Sequence, residues 1–261
     1  MYQSNLNKKS LQTQMNEKLF EAVKKNNLHD VRIYINRGGD MNEAQGVTYK
    51  SAFLLAVEKG YLDIVEHLVT EGADINLVQG PEYHSAFKLA VKSGHLDIVK
   101  YFVSKGANLN EYGEDFYPNS ACCYGHLNIL EYFISLNYSV KYEFLISAVN
   151  NGHLDVVKFL LERGFDVHTN SDEILNFACF NGNAQLVKYL VELGLLVNDN
   201  HMKIACEWDH LDLVKYFLSL GGELEIELAY ELAYLYASSS KSEKVKNYIE
   251  TTIYWLKCRS N

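Results

Sequence analysis

The chain repeats itself, and that property constrains its fold more than any other. The stretch Gly60-Tyr-Leu-Asp-Ile-Val returns as Gly94-His-Leu-Asp-Ile-Val, Gly125-His-Leu-Asn-Ile-Leu and Gly152-His-Leu-Asp-Val-Val. Weaker copies begin at Gly182 and Asp209, an upstream copy begins at Asn26 without the glycine, and a degenerate last copy ends at Val245. Anchored on the glycine slot, the copies stand at 26, 60, 94, 125, 152, 182, 209 and about 240, at intervals of 34, 34, 31, 27, 30, 27 and roughly 31. A period of this size marks an array of small supersecondary units. No such unit can bury its apolar face alone, so neighbours must stack to complete the core.

Each unit reads as two short helices. In the third, Ser85-Ala-Phe-Lys-Leu-Ala-Val-Lys is a first helix ended by Gly94, and His95 to Lys105 is a second. Leu96, Val99, Phe102 and Val103 give the second helix one apolar face. Gly106 stands where a left-handed C-cap is needed. The expected organisation is a polar N-terminal tail over 1–14, repeats over 15–236, and a capping helix and tail over 237–261. Approximate units are 15–45, 46–79, 80–113, 114–140, 141–169, 170–199, 200–226 and 227–250, the last running into the capping segment. Glu223–Tyr236 reads as helix, Ser238 to Ser242 as a turn, and Val245–Trp255 as the closing helix. With helix layers about 8–10 Å apart, eight units would span on the order of 70 Å.

The pattern resembles the ankyrin repeat. The resemblance rests on Ser51-Ala-Phe-Leu-Leu-Ala, Gly60-Tyr-Leu-Asp-Ile-Val and Glu71-Gly-Ala-Asp-Ile-Asn76, which recur as Ser85-Ala-Phe-Lys-Leu-Ala, Gly94-His-Leu-Asp-Ile-Val and Lys105-Gly-Ala-Asn-Leu-Asn110. It covers roughly 16–250. That family usually opens its first helix with T-P-L-H-x-A. Here Ser51 and Ser85 replace the threonine, and Leu54 and Lys88 occupy the histidine slot. The Trp-Leu-Gly-Tyr signature of tetratricopeptide repeats, whose period is similar, is absent. The short GHLDIVKYL-like repeats, in a chain rich in Asn, Lys and Tyr, look most like the ankyrin families of giant amoeba-infecting DNA viruses (mimivirus-like), with effectors of intracellular bacteria next. The resemblance implies an all-α solenoid of about eight helix pairs. An ordinary unit of about 33 residues includes a β-hairpin finger, so the shorter intervals predict fingers only in the N-terminal half, at Met41–Lys50, Ile75–His84 and Leu109–Tyr117. After Val140 and Val197 the chain should turn almost directly into the next helix.

Side chains that invite a chemical reading recur once per unit. His95, His126 and His153 share the slot after the glycine. Residues one helix diameter apart cannot converge on one ion, so they read as polar residues bonding at the start of the second helix. Asp63, Asp97, Asp155 and Asp212 complement the positive end of that helix. Cys122, Cys179 and Cys206 share a slot filled elsewhere by Val57, Val91 and Val149, and behave as small buried hydrophobes. Cys123, one residue later, is the thiol expected to be most reactive. The five cysteines form no CxxC pair, which leaves a disulfide framework and a zinc ribbon unsupported. Phosphate-binding, hydrolase and metalloprotease motifs are missing as well. No enzyme, cofactor or metal is therefore expected.

The expected function is non-catalytic binding of an unidentified protein by a monomer. In this family partners usually contact the finger tips and the exposed end of the first helix. The two positions before each glycine slot introduce Tyr124, Phe180 and Trp208, and the fingers add Tyr49, Tyr83, Tyr112, Phe116 and Tyr117. Exposed aromatics on a rigid surface are the usual makings of binding hot spots. The net charge of -9 concentrates in 51–200, with nine basic against nineteen acidic residues, which disfavours nucleic acid. No apolar run reaches 18 residues and no apolar segment opens the chain, so a cytoplasmic location without a membrane span is expected. The alternative role is a substrate receptor for a host ubiquitin ligase. About 25 residues follow the last clear helix pair, too few for an independent F-box-like domain.

Overall fold

The computed structural model describes residues 2–45, 50–76, 78–79, 84–220, 234–237 and 243–259. The fold is an all-α solenoid of stacked helix pairs that divides into two compact units, Met1–Tyr138 and Ser139–Asn261. In the first unit the pairs are α1 (Tyr2–Lys24) with α2 (Leu28–Asn36), α3 (Ala52–Lys59) with α4 (Leu62–Thr70), α5 (Ala86–Ser93) with α6 (Leu96–Ser104), and α7 (Phe116–Cys123) with α8 (Leu127–Ser135). The first helices pack in the order α1, α3, α5, α7, and the second helices in the order α2, α4, α6, α8, giving two layers. In the second unit the pairs are α9 (Tyr142–Asn150) with α10 (Leu154–Glu162), α11 (Ser171–Asn181) with α12 (Ala184–Glu192), and α13 (Asp199–Glu207) with α14 (Leu211–Leu220). There α11 lies between α9 and α13, and a closing helix, Glu243–Arg259, packs on α14.

Local chemistry starts and stops these helices. Ser51 Oγ accepts from the Leu54 amide and Ser85 Oγ from the Lys88 amide, both at 3.2 Å, so serine supplies the N-cap where the family usually has threonine. Second helices α4, α6, α8 and α12 each bury three apolar positions spaced i, i+1 and i+4, α10 and α14 bury a fourth, and α2 buries only Val31. In α6 they are Ile98, Val99 and Phe102, and in α12 Leu186, Val187 and Leu190. The buried stripe is thus centred on Ile98, while Leu96 and Val103 lie at its margin, because the helix packs against its own partner as well as the next layer. Phe53 meets Phe102 edge-on at 6.0 Å, and Phe87 meets Phe133 at 6.4 Å, tying successive repeats together. Where the glycine slot holds another residue, Asn26 (φ 51) and Asp209 (φ 58) adopt the left-handed conformation themselves.

Three expectations need correction or restriction. Helix α1 begins at Tyr2 rather than Met15, since neither glycine nor proline interrupts the chain before Lys24. A bridge joins Gln45 to Lys50, and β1 (Val78–Gln79) pairs antiparallel with β2 (His84–Ser85), so the first two finger segments carry pairing at their bases. The third expected finger, Leu109–Tyr117, does not form. Gly113 donates to the Asn110 carbonyl and Phe116 to the Gly113 carbonyl, and these consecutive turns lead straight into α7. Helices α9 and α13 begin two residues after Val140 and Val197. At the C-terminal end residues 234–237 are helical, and Val245 and Ile249 of the closing helix are buried. The rest of the expected helix at 223–236 and the turn at 238–242 lie outside the described residues, as do the side chains of Trp255 and Cys258.

Candidate functional site

Two of the recurrent histidines, His95 and His126, tie successive repeats together, and His210, in the same slot of a weaker copy, does so as well. Each of these three caps a first-helix end in the preceding repeat: His95 Nε2 lies 2.9 Å from the Glu58 carbonyl, His126 Nε2 2.9 Å from that of Lys92, and His210 Nε2 3.0 Å from that of Phe180. A carbonyl oxygen only accepts, so Nε2 is the protonated, donating nitrogen. Asparagine does the same work in one layer, where Asn181 donates to the Asn150 carbonyl at 3.0 Å and Asn183 to that of Gly152 at 2.6 Å. The sequence reading placed these bonds at the start of the second helix. They run between repeats instead, and neither His95 nor His126 caps its own helix with its side chain. The missed signal was the pairing of histidine with the glycine one repeat earlier. An added Cβ at Gly60 would stand 2.5 Å from the His95 ring, so the ring takes the place a side chain would fill.

The recurrent cysteines are equally structural. Cys122, Cys179 and Cys206 are fully buried, and burial pushes each thiol up to about 12. Among the described residues no group of His, Cys, Asp and Glu is arranged to hold a metal ion. The aspartates bond locally, as when Asp97 accepts from the adjoining Ile98 amide at 2.9 Å. A cleft of about 310 Å³ between α1 and α2 is lined by Glu17, Lys18, Glu21, Lys25, Asp30 and Tyr34, and it opens to solvent.

The expected contact aromatics separate into distinct groups. Tyr49 and Tyr83 lie outside the described residues. Tyr112, Phe116 and Tyr117 form one cluster, with ring centroids 4.6 Å apart for Tyr112–Phe116 and 5.2 Å for Phe116–Tyr117. Tyr117 is only 1% exposed, stands edge-on to Phe87 at 4.7 Å and donates to the Glu111 carboxylate at 3.1 Å. It is a core residue, and burial drives its hydroxyl pKa upward. Tyr112 stays at the surface with Lys88 Nζ 5.3 Å above its ring, and Phe116 is half-buried. Tyr124 is 42% exposed, and Lys92 Nζ lies 5.6 Å from its centroid.

Phe180 and Trp208 lie together at the ends of α11 and α13. Their centroids are 4.3 Å apart at an interplanar angle of 60°, yet 48% of Phe180 and 52% of Trp208 remain exposed. The sequence placed both at surface positions but gave no reason to pair them. A lysine–tyrosine ladder also escaped the sequence reading. It links second helices within each unit, with Lys100 over Tyr132 at 5.5 Å in the first, and Lys158 over Tyr189 at 4.9 Å and Lys188 over Tyr216 at 5.4 Å in the second.

A family model described as ankyrin repeats (3 copies) matches residues 19–112, 53–144, 118–171 and 145–227. These overlapping stretches together run from 19 to 227. No curated protein matches the chain.

Proposed function

Because this chain belongs to the ankyrin-repeat family, whose members are protein–protein interaction modules of a typically non-catalytic fold, we propose that it binds a protein partner through the exposed face of its first helices. The observation that carries the reading is the Phe180–Trp208 pair, two large rings in mutual contact and half open to solvent. Paired aromatics rimmed by polar side chains, here Asn150, Asn181 and Glu207, have the composition of a binding hot spot. Tyr124 offers a smaller contact of the same kind in the first unit.

The test is affinity capture from cell lysate with the wild-type chain and the Phe180→Ala/Trp208→Ala variant in parallel. A partner held by these rings is retained by the wild type and depleted with the variant, by about 1 kcal/mol or more per ring. Far-UV circular dichroism of the variant should match the wild type. A partner recovered equally by both proteins refutes the assignment. Among the described residues no helix is long and apolar enough to cross a membrane.

A further inference from the structure

Phe180 stands two residues before its glycine slot, and Trp208 one residue before the slot of the next repeat. The same two positions in the first unit are Lys92 and Tyr124. There the lysine of one repeat lies over the tyrosine of the next, Nζ to centroid 5.6 Å. In the second unit the cation has been replaced by a phenyl ring, and the tyrosine by indole, the ring that attracts cations most strongly. Tyr189, Tyr216 and Tyr248 of that unit are each covered by a lysine of the preceding repeat, at 4.9, 5.4 and 5.0 Å. Among the described residues no cation lies over Phe180 or Trp208.

The charge carried by the first helices points the same way. The first helices of the second unit carry Glu143, Asp172, Glu173, Asp199 and Glu207 against a single lysine, Lys203. That lysine is itself 3.8 Å from Glu207. The second helices of the unit are nearly balanced, with four carboxylates against three lysines. Glu207 adjoins Trp208. Glu173 and Asp172 lie about 10.5 and 12 Å from Phe180 along α11, somewhat beyond one Debye length, where they add only a weak long-range attraction for a basic chain.

We propose that this face takes a basic segment of a partner protein, and that an arginine of that segment seats against the Phe180–Trp208 pair as Lys92 seats against Tyr124. Arginine fits best because its planar, weakly hydrated guanidinium stacks on aromatic faces. The inference rests on the protein-binding reading above and names the chemistry of the partner.

The probe is fluorescein-labelled deca-arginine, titrated with the full chain at physiological salt and read by fluorescence anisotropy. A Gly/Ser peptide of equal length is the reference. The wild type should bind deca-arginine and not the reference. Phe180→Ala/Trp208→Ala should weaken binding about tenfold or more. Phe180→Lys, which restores a cation over Trp208 from within the chain, should do the same. Gln185→Lys, an equal charge change at an exposed site on α12, should leave binding within about twofold. Absence of deca-arginine binding, or equal losses from Phe180→Lys and Gln185→Lys, overturns the proposal. If deca-arginine fails while a captured partner still depends on the two rings, the cationic assignment falls and the protein-binding reading stands.

Discussion

The glycine–histidine contact between repeats makes a quantitative prediction for Gly94→Ala. Gly94 has φ +80, and a methyl group there would lie 2.6 Å from His126 Cε1 and 2.7 Å from Nδ1. The left-handed conformation alone costs an alanine about 1–2 kcal/mol. The contact adds a second cost, because the ring is not free to swing away. Its Nε2 is bonded to the Lys92 carbonyl at 2.9 Å, and breaking that bond costs about 1 kcal/mol. Gly94→Ala should therefore destabilise the chain by about 2–3 kcal/mol. Gly106→Ala isolates the first cost, since Gly106 has the same φ of +80 and nothing within 4 Å of an added Cβ.

The assay is urea unfolding followed by far-UV circular dichroism, applied to both variants and to a cycle with His126→Ala. With the ring removed, alanine at 94 should cost no more than alanine at 106, leaving a coupling of about 1 kcal/mol between positions 94 and 126. Equal losses for Gly94→Ala and Gly106→Ala, or strictly additive losses in the double variant, would refute the clamp. The chain's own departures from glycine fit the reasoning. After Asn26 the next repeat has Tyr61 in the histidine slot, and above Asp209 the closing helix instead donates the Val245 amide to the Asp209 carboxylate at 3.0 Å.

Other measurements probe separate parts of the structure. His201 is fully buried, and its Nδ1 accepts from the Asn198 amide at 3.0 Å. Burial lowers its pKa, with Asp172 opposing in part, so below about pH 6.5 the unfolded chain binds more protons than the native one. Stability should be flat above that pH and fall below it by up to about 1.4 kcal/mol per pH unit. His201→Gln should flatten the dependence of Tm on pH between 7 and 5, and parallel profiles would count against the assignment. Among Cys122, Cys123, Cys179 and Cys206, iodoacetamide at pH 8 should label Cys123 first, as read by peptide mass spectrometry, because the other three are buried with thiols near 12. Phe102→Ala removes a fully buried ring and should cost about 3–5 kcal/mol in the same urea assay.

The helix pairs were legible in the sequence because their determinants are local. Ser51 and Ser85 precede their helices by one residue, and Gly106 adopts the positive φ that its position after α6 demands. The register of burial was less legible. The spacing of apolar residues predicts one face on α6 through Leu96 and Val103, but burial there depends on two neighbours and shifts toward Ile98. Exposure of the aromatics was the least legible, since it is decided by what the adjacent repeat supplies. Tyr112 and Tyr117 are five residues apart and adjacent in space, yet one remains at the surface while the other lies beneath it against Phe87. The Phe180–Trp208 contact becomes apparent only when position two of one repeat is set beside position one of the next.

The same comparison explains how the repeats of each unit can stay stacked while their surface varies. The clamps accept through the backbone of the residue two before the glycine slot, Glu58, Lys92, Asn150 or Phe180, in layers whose side chains are acidic, basic, amide and aromatic. A carbonyl is present whatever the side chain, so the bond between layers places no demand on residue type there. The side chain points away from the clamp and stays at least partly open to solvent at all four positions. Stacking and recognition thus use different atoms of one residue. Phe180→Ala should accordingly leave the His210 bond intact and change stability by no more than about 0.5 kcal/mol, the range of ordinary surface substitutions. A larger loss in the urea assay would mean that the ring supports the stack, and its exposure could no longer be read as a vacancy for a partner.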